Sequence, residues 1–355
     1  MNKKKAIVHI IYNLALGGAE AMLSAVLKEL AEYDNIVVTL SPENHFGSDF
    51  VCSELVCINT PKLSSLPVAV FRLRKLLKKY NPVLVHSHLP LPNFAARIAV
   101  DKKIPLVTTI HTSIANAADY KRKHIRLIDK ITYRMRPSKI VAVSQVALND
   151  YFKVLHLKKH DPSVLYTFVD NKKFTPSKKR LVQTDTIRLV TIGSFKAGKN
   201  LPYLIEVFKK FPDKSITLDI FGRGHQDLEK QIREAGVPIY LKGQVNNLQD
   251  LLPDYDAFIM PSQFEGFSLS VLEAMAIKLP LLLSDIPSFR EQAKDTALYF
   301  DLNNIEDGYK VITEFQNHRE EAFNRAEKAF ILMEKNYTLQ HHMKGLRKIY
   351  EDALH

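Results

Sequence analysis

The chain has 355 residues, a length that suits two ordinary domains rather than one. Apolar residues make up 46% and charged residues 25%, and 12 glycines with 17 prolines exclude collagen-like and low-complexity chains. The net charge is +12, and residues 1–170 supply +11 of it, with 24 Lys and Arg against 13 Asp and Glu. Such a basic half favours anionic partners: phosphorylated substrates, nucleic acid or an acidic membrane surface.

Cysteine usage and hydropathy indicate a cytosolic protein. Cys52 and Cys57 are too few for a disulfide scaffold or a Cys-rich zinc module, so we expect two reduced thiols. No apolar run approaches the ~20 residues that span a bilayer. A basic N-terminus precedes the apolar run 6–16, but no cleavage region follows, and we interpret that run as the first core strand.

Short apolar runs alternate with helix-period stretches along the whole chain, which predicts an α/β fold of parallel sheets covered by helices. The strand patterns lie at 6–12, 35–40, 83–86, 106–110, 140–143, 187–192, 216–221, 238–241, 257–260, 281–283 and 297–300. A polar, lysine-rich stretch at 170–186 is the predicted linker. The tail from about residue 320 predicts two helices with a break near 336–337.

Two loops between a strand and a helix have the composition of anion-binding turns. Gly17 and Gly18 follow the first strand, and paired glycines let backbone N–H groups approach an anion at a helix N-terminus. Lys199 lies in a second such loop, after strand 187–192, where its charge suits a diphosphate. Each loop alone is equally compatible with a plain turn. Gly222 and Gly224 lack the third glycine of a dinucleotide fingerprint and are interpreted as a structural turn.

The most specific stretch is 261–276, which follows the apolar strand 257–260. Glu265 lies in its loop, and Glu273 lies within an otherwise apolar helix start. A carboxylate in that setting is costly to bury unless it is hydrogen-bonded, and sugar or ribose hydroxyls would satisfy it. The alternative is that Glu273 only caps a neighbouring loop.

The chain resembles, nearly end to end, the retaining GT-B glycosyltransferases of family GT4. The resemblance rests on motifs from both halves: Gly17-Gly18-Ala19-Glu20, the run that ends in His111, the Lys199 loop, Gly222-x-Gly224, the segment Glu265 to Ala276, and 280–291. It implies two facing Rossmann-like domains and a last helix that crosses back to the first. We therefore predict an acceptor domain at 1–172, a donor domain at 173–335 and a crossing helix at 336–355.

The resemblance also implies roles for single residues. Glu265 would contact hydroxyls of the transferred sugar, and Glu273 the ribose hydroxyls. Backbone amides for the sugar and diphosphate would come from Phe267, Ser268, Leu269 and Ser270.

Three further roles follow from the same family pattern. Gly17 and Gly18 would cover the diphosphate from the opposite domain. His111 would lie near the reacting sugar. Lys199 would neutralise charge on the leaving diphosphate.

One position departs from the family pattern. Many relatives carry an arginine after the glycine that matches Gly193, whereas this chain has Ser194. Loss of such a charge-assisted contact costs ~2 kcal/mol unless Lys196 replaces it.

Two patterns suggest metal sites, and we interpret neither as one. Asp254-Tyr255-Asp256 has the Asp-x-Asp spacing of another glycosyltransferase fold, but it precedes a buried strand, and the family that the chain resembles needs no metal for transfer. His86 and His88 have suitable spacing, but no third ligand is evident, so we expect loop histidines that line the cleft.

Two basic amphipathic helices are predicted at 71–80 and 121–136. Such helices can lie on anionic lipid headgroups, although a solvated face is the equally simple interpretation.

Together these features predict a retaining glycosyltransferase that moves a hexose-type sugar from a nucleotide-sugar donor to a hydroxyl of a glycan or lipid-linked acceptor. We expect a role in surface polysaccharide or glycolipid synthesis, no cofactor or metal, no nucleic-acid partner, and a cytoplasmic location, peripheral at the membrane. Two alternatives stay open: another GT-B enzyme such as a sugar-nucleotide epimerase, and a nucleic-acid-binding protein that uses the basic half.

Overall fold

The computed structural model describes residues 4–15, 17–159, 161–176, 186–212, 215–224 and 226–355. Most of the predicted linker, 177–185, lies outside the described residues. The chain divides into two compact units: unit 1 is Met1–Thr167 with Gln340–His355, and unit 2 is Phe168–Leu339.

In its described residues, unit 1 is built on a seven-stranded parallel sheet with the order β3-β2-β1-β4-β5-β6-β7. Its strands are β1 (Ala6–Ile11), β2 (Asp34–Thr39), β3 (Glu54–Cys57), β4 (Leu84–His88), β5 (Leu106–Ile110), β6 (Lys139–Ala142) and β7 (Ser163–Val164). The inner strands are buried on both faces, which explains why apolar residues predominate in most of them, although β4 (LVHSH) also buries His86, Ser87 and His88.

Six helices of the described residues cover this sheet. They are α1 (Gly18–Glu29), α2 (Leu66–Tyr80), α3 (Pro90–Ala99), α4 (Lys123–Met135), α5 (Gln145–Leu155) and, from the C-terminal tail, α13 (Leu339–Leu354). Leu346 and Tyr350 of α13 are buried within the unit, so the tail helix is part of its core. Neither Cys52 nor Cys57 is in a disulfide, as the sequence predicts.

Unit 2 repeats the plan with six parallel strands in the order β10-β9-β8-β11-β12-β13, counted over its described residues. The strands are β8 (Ile187–Ile192), β9 (Ile216–Phe221), β10 (Ile239–Gly243), β11 (Ala257–Met260), β12 (Leu281–Ser284) and β13 (Leu298–Phe300). The helices are α6 (Pro202–Phe208), α7 (Gln226–Ala235), α8 (Leu248–Leu251), α9 (Leu269–Ala276), α10 (Pro287–Ala293), α11 (Ile305–Asn317) and α12 (Arg319–Asn336). The break between α12 and α13 falls at Tyr337–Thr338, which confirms the predicted one.

The strand order fixes where ligands can bind in each unit. In both sheets the first strand lies beside the fourth. The first three strands are added toward one edge of the sheet and the later strands toward the other edge, so the strand order changes direction between the first and the fourth strand. Ligands of open α/β sheets bind outside the carboxyl ends of the strands at this switch point. In unit 2 these are the ends of β8 and β11, where the Lys199 loop and the loop to α9 begin.

Of the helices in the described ranges, none is both long enough and apolar enough to cross a bilayer.

Candidate active site

The loops that follow β8 and β11 bring Lys199 and Glu265 together. The Lys199 Nζ donates to the Glu265 Oε1 over 2.7 Å, and the Ser262 Oγ donates to the same oxygen over 2.8 Å. The Lys199 and Glu265 side chains are 24% and 16% exposed, so the pair is accessible to a ligand yet partly desolvated. One Glu265 oxygen thus orients the lysine, and both groups can also contact a donor molecule.

These two loops are interlocked through backbone and ring contacts. The Gln263 amide donates to the Gly198 carbonyl over 2.8 Å. A Cβ added at Gly198 would lie 2.7 Å from the Phe264 ring, and one at Gly193 would lie 3.3 Å from the Lys199 Cε. Gly198 therefore allows the close approach of its loop to the Phe264 ring, whereas an added methyl group at Gly193 would need only a small shift of the flexible Lys199 side chain.

The N-terminus of α9 is held by Gln292 of α10. The Ser268 amide donates to the Gln292 Oε1 over 3.0 Å, and the Gln292 Nε2 donates to the Ser268 carbonyl over 2.7 Å. Phe267 is buried with its ring edge-on to Tyr337 at 5.0 Å. The backbone N–H of Ser268 is therefore already hydrogen-bonded within the protein. The backbone N–H groups of Leu269 and Ser270 lie in the first turn of α9, where no preceding helical turn supplies a carbonyl acceptor.

Glu273 lies one turn along α9 from Leu269, on the face of the helix that retains some exposure. Val271, Leu272 and Ala274 beside it are fully buried. Desolvation raises the pKa of Glu273 to about 7, against a smaller opposing effect of the Lys173 charge. The described residues give this carboxylate no hydrogen bond or ion pair. Leu269, Ser270 and Glu273 thus form one partly exposed face with a carboxylate that can accept hydroxyl hydrogen bonds.

Ser194, which stands where many relatives carry an arginine, supplies no positive charge. Ser194 is half-buried and Lys196 is exposed, with the Lys196 carbonyl accepting from the Lys199 amide over 2.9 Å. The replacement of the missing arginine by Lys196 stays a prediction.

The pair Gly222 and Gly224 forms a structural turn, as predicted. Both residues have positive φ angles, 144° and 81°. The Phe195 amide donates to the Arg223 carbonyl over 3.0 Å, so the turn supports the loop that carries Lys199. His225 lies outside the described residues.

The Asp-x-Asp stretch has structural partners. Asp256 is buried, accepts from the Arg188 amide over 2.8 Å and is ion-paired with Arg319. The Tyr255 hydroxyl donates to the Asp219 carboxylate over 2.7 Å.

In unit 1, Gly17 caps α1, and Gly18 is its first residue. The Glu20 carboxylate lies against Gly17, since an added Cβ would be 2.4 Å from its Oε2. A negative charge thus already occupies the helix N-terminus, which such charges stabilise. The contact of Gly17 and Gly18 with a diphosphate stays a prediction.

His111 lies directly after β5 and is kept neutral by its surroundings. Burial, with a smaller effect from the charge of His342, lowers the pKa of His111 to about 3. Its Nε2 lies 3.1 Å from the Nδ1 of His88. A neutral imidazole in this position can exchange hydrogen bonds with a ligand but carries no charge to it.

The expectation that His86 and His88 are loop histidines without a third partner is wrong. Both are in β4 and buried, and His9 of β1 lies beside them, with ligand nitrogens of the three rings within 4.8 Å of one another. The sequence did not reveal His9, because a lone histidine in an apolar strand is typical of a core residue. Gln292 was missed in the same way, since only the fold brings it to the start of α9.

Two family models match the chain, one in each half. Residues 16–173 match Glycosyltransferase Family 4, and residues 172–330 match Glycosyl transferases group 1.

Relatives of known role match over most of the chain. The O-antigen biosynthesis glycosyltransferase WbnH of Escherichia coli is 25% identical over 346 residues, which cover 94% of this chain and 97% of WbnH. The UDP-Gal:α-D-GlcNAc-diphosphoundecaprenol α-1,3-galactosyltransferase of Escherichia coli is 26% identical over 287 residues, covering 70% and 73%.

Solved structures match over nearly the full length. HepE of Anabaena in complex with UDP and glucose has a TM-score of 0.84 at 16% identity, covering 98% of this chain and 99% of HepE. With the two parallel Rossmann-like sheets, this likeness gives the chain the GT-B fold.

Proposed function

Because this chain belongs to the glycosyltransferases of family 4 and group 1, we propose that it is a retaining hexosyltransferase that uses a nucleotide-sugar donor. The acceptor is a hydroxyl of a glycan or lipid-linked saccharide, and the product enters a surface polysaccharide or glycolipid. Two relatives support this choice by their own activities, one in O-antigen biosynthesis and one on a diphosphoundecaprenol-linked sugar.

Glu273 is the residue that best supports a nucleotide-sugar ligand. Its carboxylate is desolvated, has no partner among the described residues, and shares the exposed face of α9 with Leu269 and Ser270. A pair of ribose hydroxyls would donate hydrogen bonds to this carboxylate and so offset the free-energy cost of its desolvation. Amides at the same helix N-terminus suit the negative diphosphate.

Lys199 and Glu265 then act on the other end of the donor. As the bond between sugar and diphosphate breaks, negative charge grows on the leaving phosphate, and the Lys199 ammonium and the α9 amides stabilise it. Glu265 accepts hydrogen bonds from sugar hydroxyls through the oxygen that does not hold Lys199. We propose that transfer needs no metal, and that the anomeric configuration is retained. The roles predicted for Gly17, Gly18 and His111 stay predictions.

Exposed apolar side chains on basic helices suggest where a lipid-linked acceptor would be met. Phe71 of α2 is 71% exposed, and Leu127 and Met135 of α4 are 56% and 59% exposed, each on a helix rich in Lys and Arg. We propose that unit 1 lies on the anionic surface of the cytoplasmic membrane leaflet through these helices.

A thermal-shift panel of UDP-, GDP-, ADP- and CMP-sugars tests the donor. A ligand that binds only the native state raises its melting temperature, so one nucleotide class should stabilise the wild type. Glu273→Gln and Glu265→Ala should each lose that shift and lower transfer to a saccharide acceptor by ~10²-fold or more, because each removes a charge-assisted contact to the donor.

Glu229→Gln is the matched control, since Glu229 is an exposed glutamate of α7 in the same unit. It should keep both the shift and the transfer. Full activity in Glu273→Gln and Glu265→Ala would refute the proposed site, and conversion of the donor without any acceptor would indicate an epimerase instead.

A further inference from the structure

Strand register brings three histidines to one face of the sheet in unit 1. His9 of β1 lies directly opposite His86 of β4, and His88 is two residues further along β4, on the same side. All three are buried, with exposures of 0%, 4% and 2%. Their rings lie close together, with centroids 4.1 Å apart for His86 and His88 and 6.0 Å apart for His9 and His86.

The protonation of His9 is set by Asn35. The Asn35 Nδ2 donates to the Leu30 carbonyl over 2.8 Å, so its Oδ1 faces the His9 Nε2 at 3.2 Å. A carbonyl oxygen only accepts, which means that the His9 Nε2 carries the proton. The His9 Nδ1 is therefore a lone pair, buried and without a hydrogen-bond partner among the described residues.

His88 presents a second unpartnered nitrogen. Its Nδ1 is 3.1 Å from the His111 Nε2, and its Nε2 is buried with no partner in the described part of the chain. His9, His86 and His88 all line one small internal cavity. Its other walls are mostly apolar side chains, with two polar residues among them, Thr109 of β5 and His342 of α13.

We propose that His9, His86 and His88 bind one divalent transition-metal ion of the zinc class. Neutral imidazoles are preferred ligands of such ions, and each of the three rings can offer one nitrogen, with the His9 Nδ1 and the His88 Nε2 already unpartnered in the described part of the chain. The candidate ligand nitrogens lie within 4.8 Å of one another, and nitrogens around a tetrahedral zinc are about 3.3 Å apart, so metal binding draws the three rings closer together.

The surroundings of the rings also suit this site. The Nδ1 of His86 is 2.7 Å from the Tyr350 hydroxyl, and its Nε2 is 2.7 Å from the Thr109 hydroxyl. On binding the ion, His86 exchanges one of these bonds for the metal and keeps the other. That bond then orients its ring, as the Asn35 bond orients His9 and the His111 bond orients His88.

Metal titration of the full chain without a polyhistidine tag tests the site. After dialysis against a chelator, Zn²⁺ should bind at one equivalent and raise the melting temperature. Co²⁺ at one equivalent should give the strong visible d–d absorption of a tetrahedral site, and Zn²⁺ should abolish it. His9→Gln and His88→Gln should each lose this binding by 10-fold or more.

Surface histidines supply the control. His124→Gln and His318→Gln remove exposed histidines and should leave the stoichiometry at one. The cobalt spectrum of the wild type decides the matter even if the core variants unfold. No tetrahedral band, or zinc binding that survives His9→Gln and His88→Gln in folded protein, overturns the proposal and leaves a water molecule as the partner of these nitrogens.

Discussion

At the residue scale, Glu273 combines a cost to the fold with the binding role that we propose for it. Its pKa is raised from 4.5 to about 7 by desolvation. A carboxyl group whose folded pKa is raised stabilises the fold below its unfolded pKa, and this contribution is lost as the pH rises through the folded value. The protein at pH 8 thus holds an unpaired charge that it would be more stable without.

Replacement of Glu273 by Gln should therefore stabilise the protein while it removes donor binding. At pH 4.5 the two proteins should differ little in the free energy of unfolding. Between pH 4.5 and 8 the variant should gain about 1–2 kcal/mol relative to the wild type, after allowance for partial exposure. Chemical denaturation across this range measures the difference, and an equal difference at both ends would contradict a raised pKa.

Other residues show why the sequence revealed only part of the site. Glu265 and Glu273 were candidates from the sequence because carboxylates at that spacing stand out beside an apolar strand and helix. Gln292 is an ordinary polar residue, and its partner Ser268 lies 24 positions earlier in the chain. Ser262 lies three residues before its partner Glu265, but the sequence does not distinguish it from any other loop serine. His9 became visible as a neighbour of His86 only through the register of β1 and β4.

At the element scale, the loops after β8 and β11 contact each other, so a change in one loop should shift the side chains of the other. Gly198→Ala places a methyl group 2.7 Å from the Phe264 ring and forces the loops apart. Because Lys199 and Glu265 lie on opposite loops, we expect transfer to fall ~10- to 100-fold with the donor-induced thermal shift reduced. Steady-state kinetics and the shift assay measure both.

A compensating change distinguishes crowding from a loss of glycine flexibility. Phe264→Ala removes the ring, so the double variant should recover activity relative to Gly198→Ala, with Phe264→Ala alone as reference. If the double variant is no better than Gly198→Ala, the ring contact is not what spaces the loops.

The strands themselves were largely predictable, since buried parallel strands are nearly continuous apolar runs. The runs 106–110, 187–192, 216–221 and 257–260 match β5, β8, β9 and β11 in full, and the others end within about two residues of the observed bounds. β3 and β7 were missed for physical reasons. β3 is a four-residue edge strand that is mostly exposed, and β7 has two residues, so neither has a clear apolar pattern.

At the scale of the whole molecule, the excess of positive charge in residues 1–170 is the feature that bears on membrane association. Helix α3 packs against both α2 and α4, so these basic helices lie on the same side of the unit 1 sheet. Each Lys or Arg near an anionic bilayer contributes about 1 kcal/mol, and a buried Phe or Leu side chain about 1.5–3 kcal/mol. The wild type should therefore sediment with phosphatidylglycerol vesicles and be released by salt.

Removal of apolar anchors should weaken this association. Phe71→Ser with Leu127→Ser should lower vesicle affinity ~10- to 100-fold without change in the donor-induced thermal shift. Ile331→Ser is the control, because Ile331 of α12 in unit 2 is 60% exposed. Equal loss in the control, or salt-independent binding to neutral vesicles, would contradict a specific basic surface.

The doubled plan of the molecule was also predictable as a class, though not in its details. Alternating strands and helices in each half indicate two parallel α/β sheets, and both sheets have the same strand order over their first six strands. Sequence periodicity does not predict the order of the strands in a sheet. The strands have similar apolar patterns, so the pattern does not indicate which strands pair.

The pairing between Gln292 and Ser268 limits how this enzyme can diverge. The side-chain amide binds both the backbone N–H and the backbone C=O of Ser268, and only a primary amide offers a donor and an acceptor in that arrangement. Glutamate loses the donor, and methionine loses both. A lineage that changed position 292 would have to rebuild the start of α9 by another means, which makes this glutamine a useful marker when distant family members are sorted by how they hold that helix.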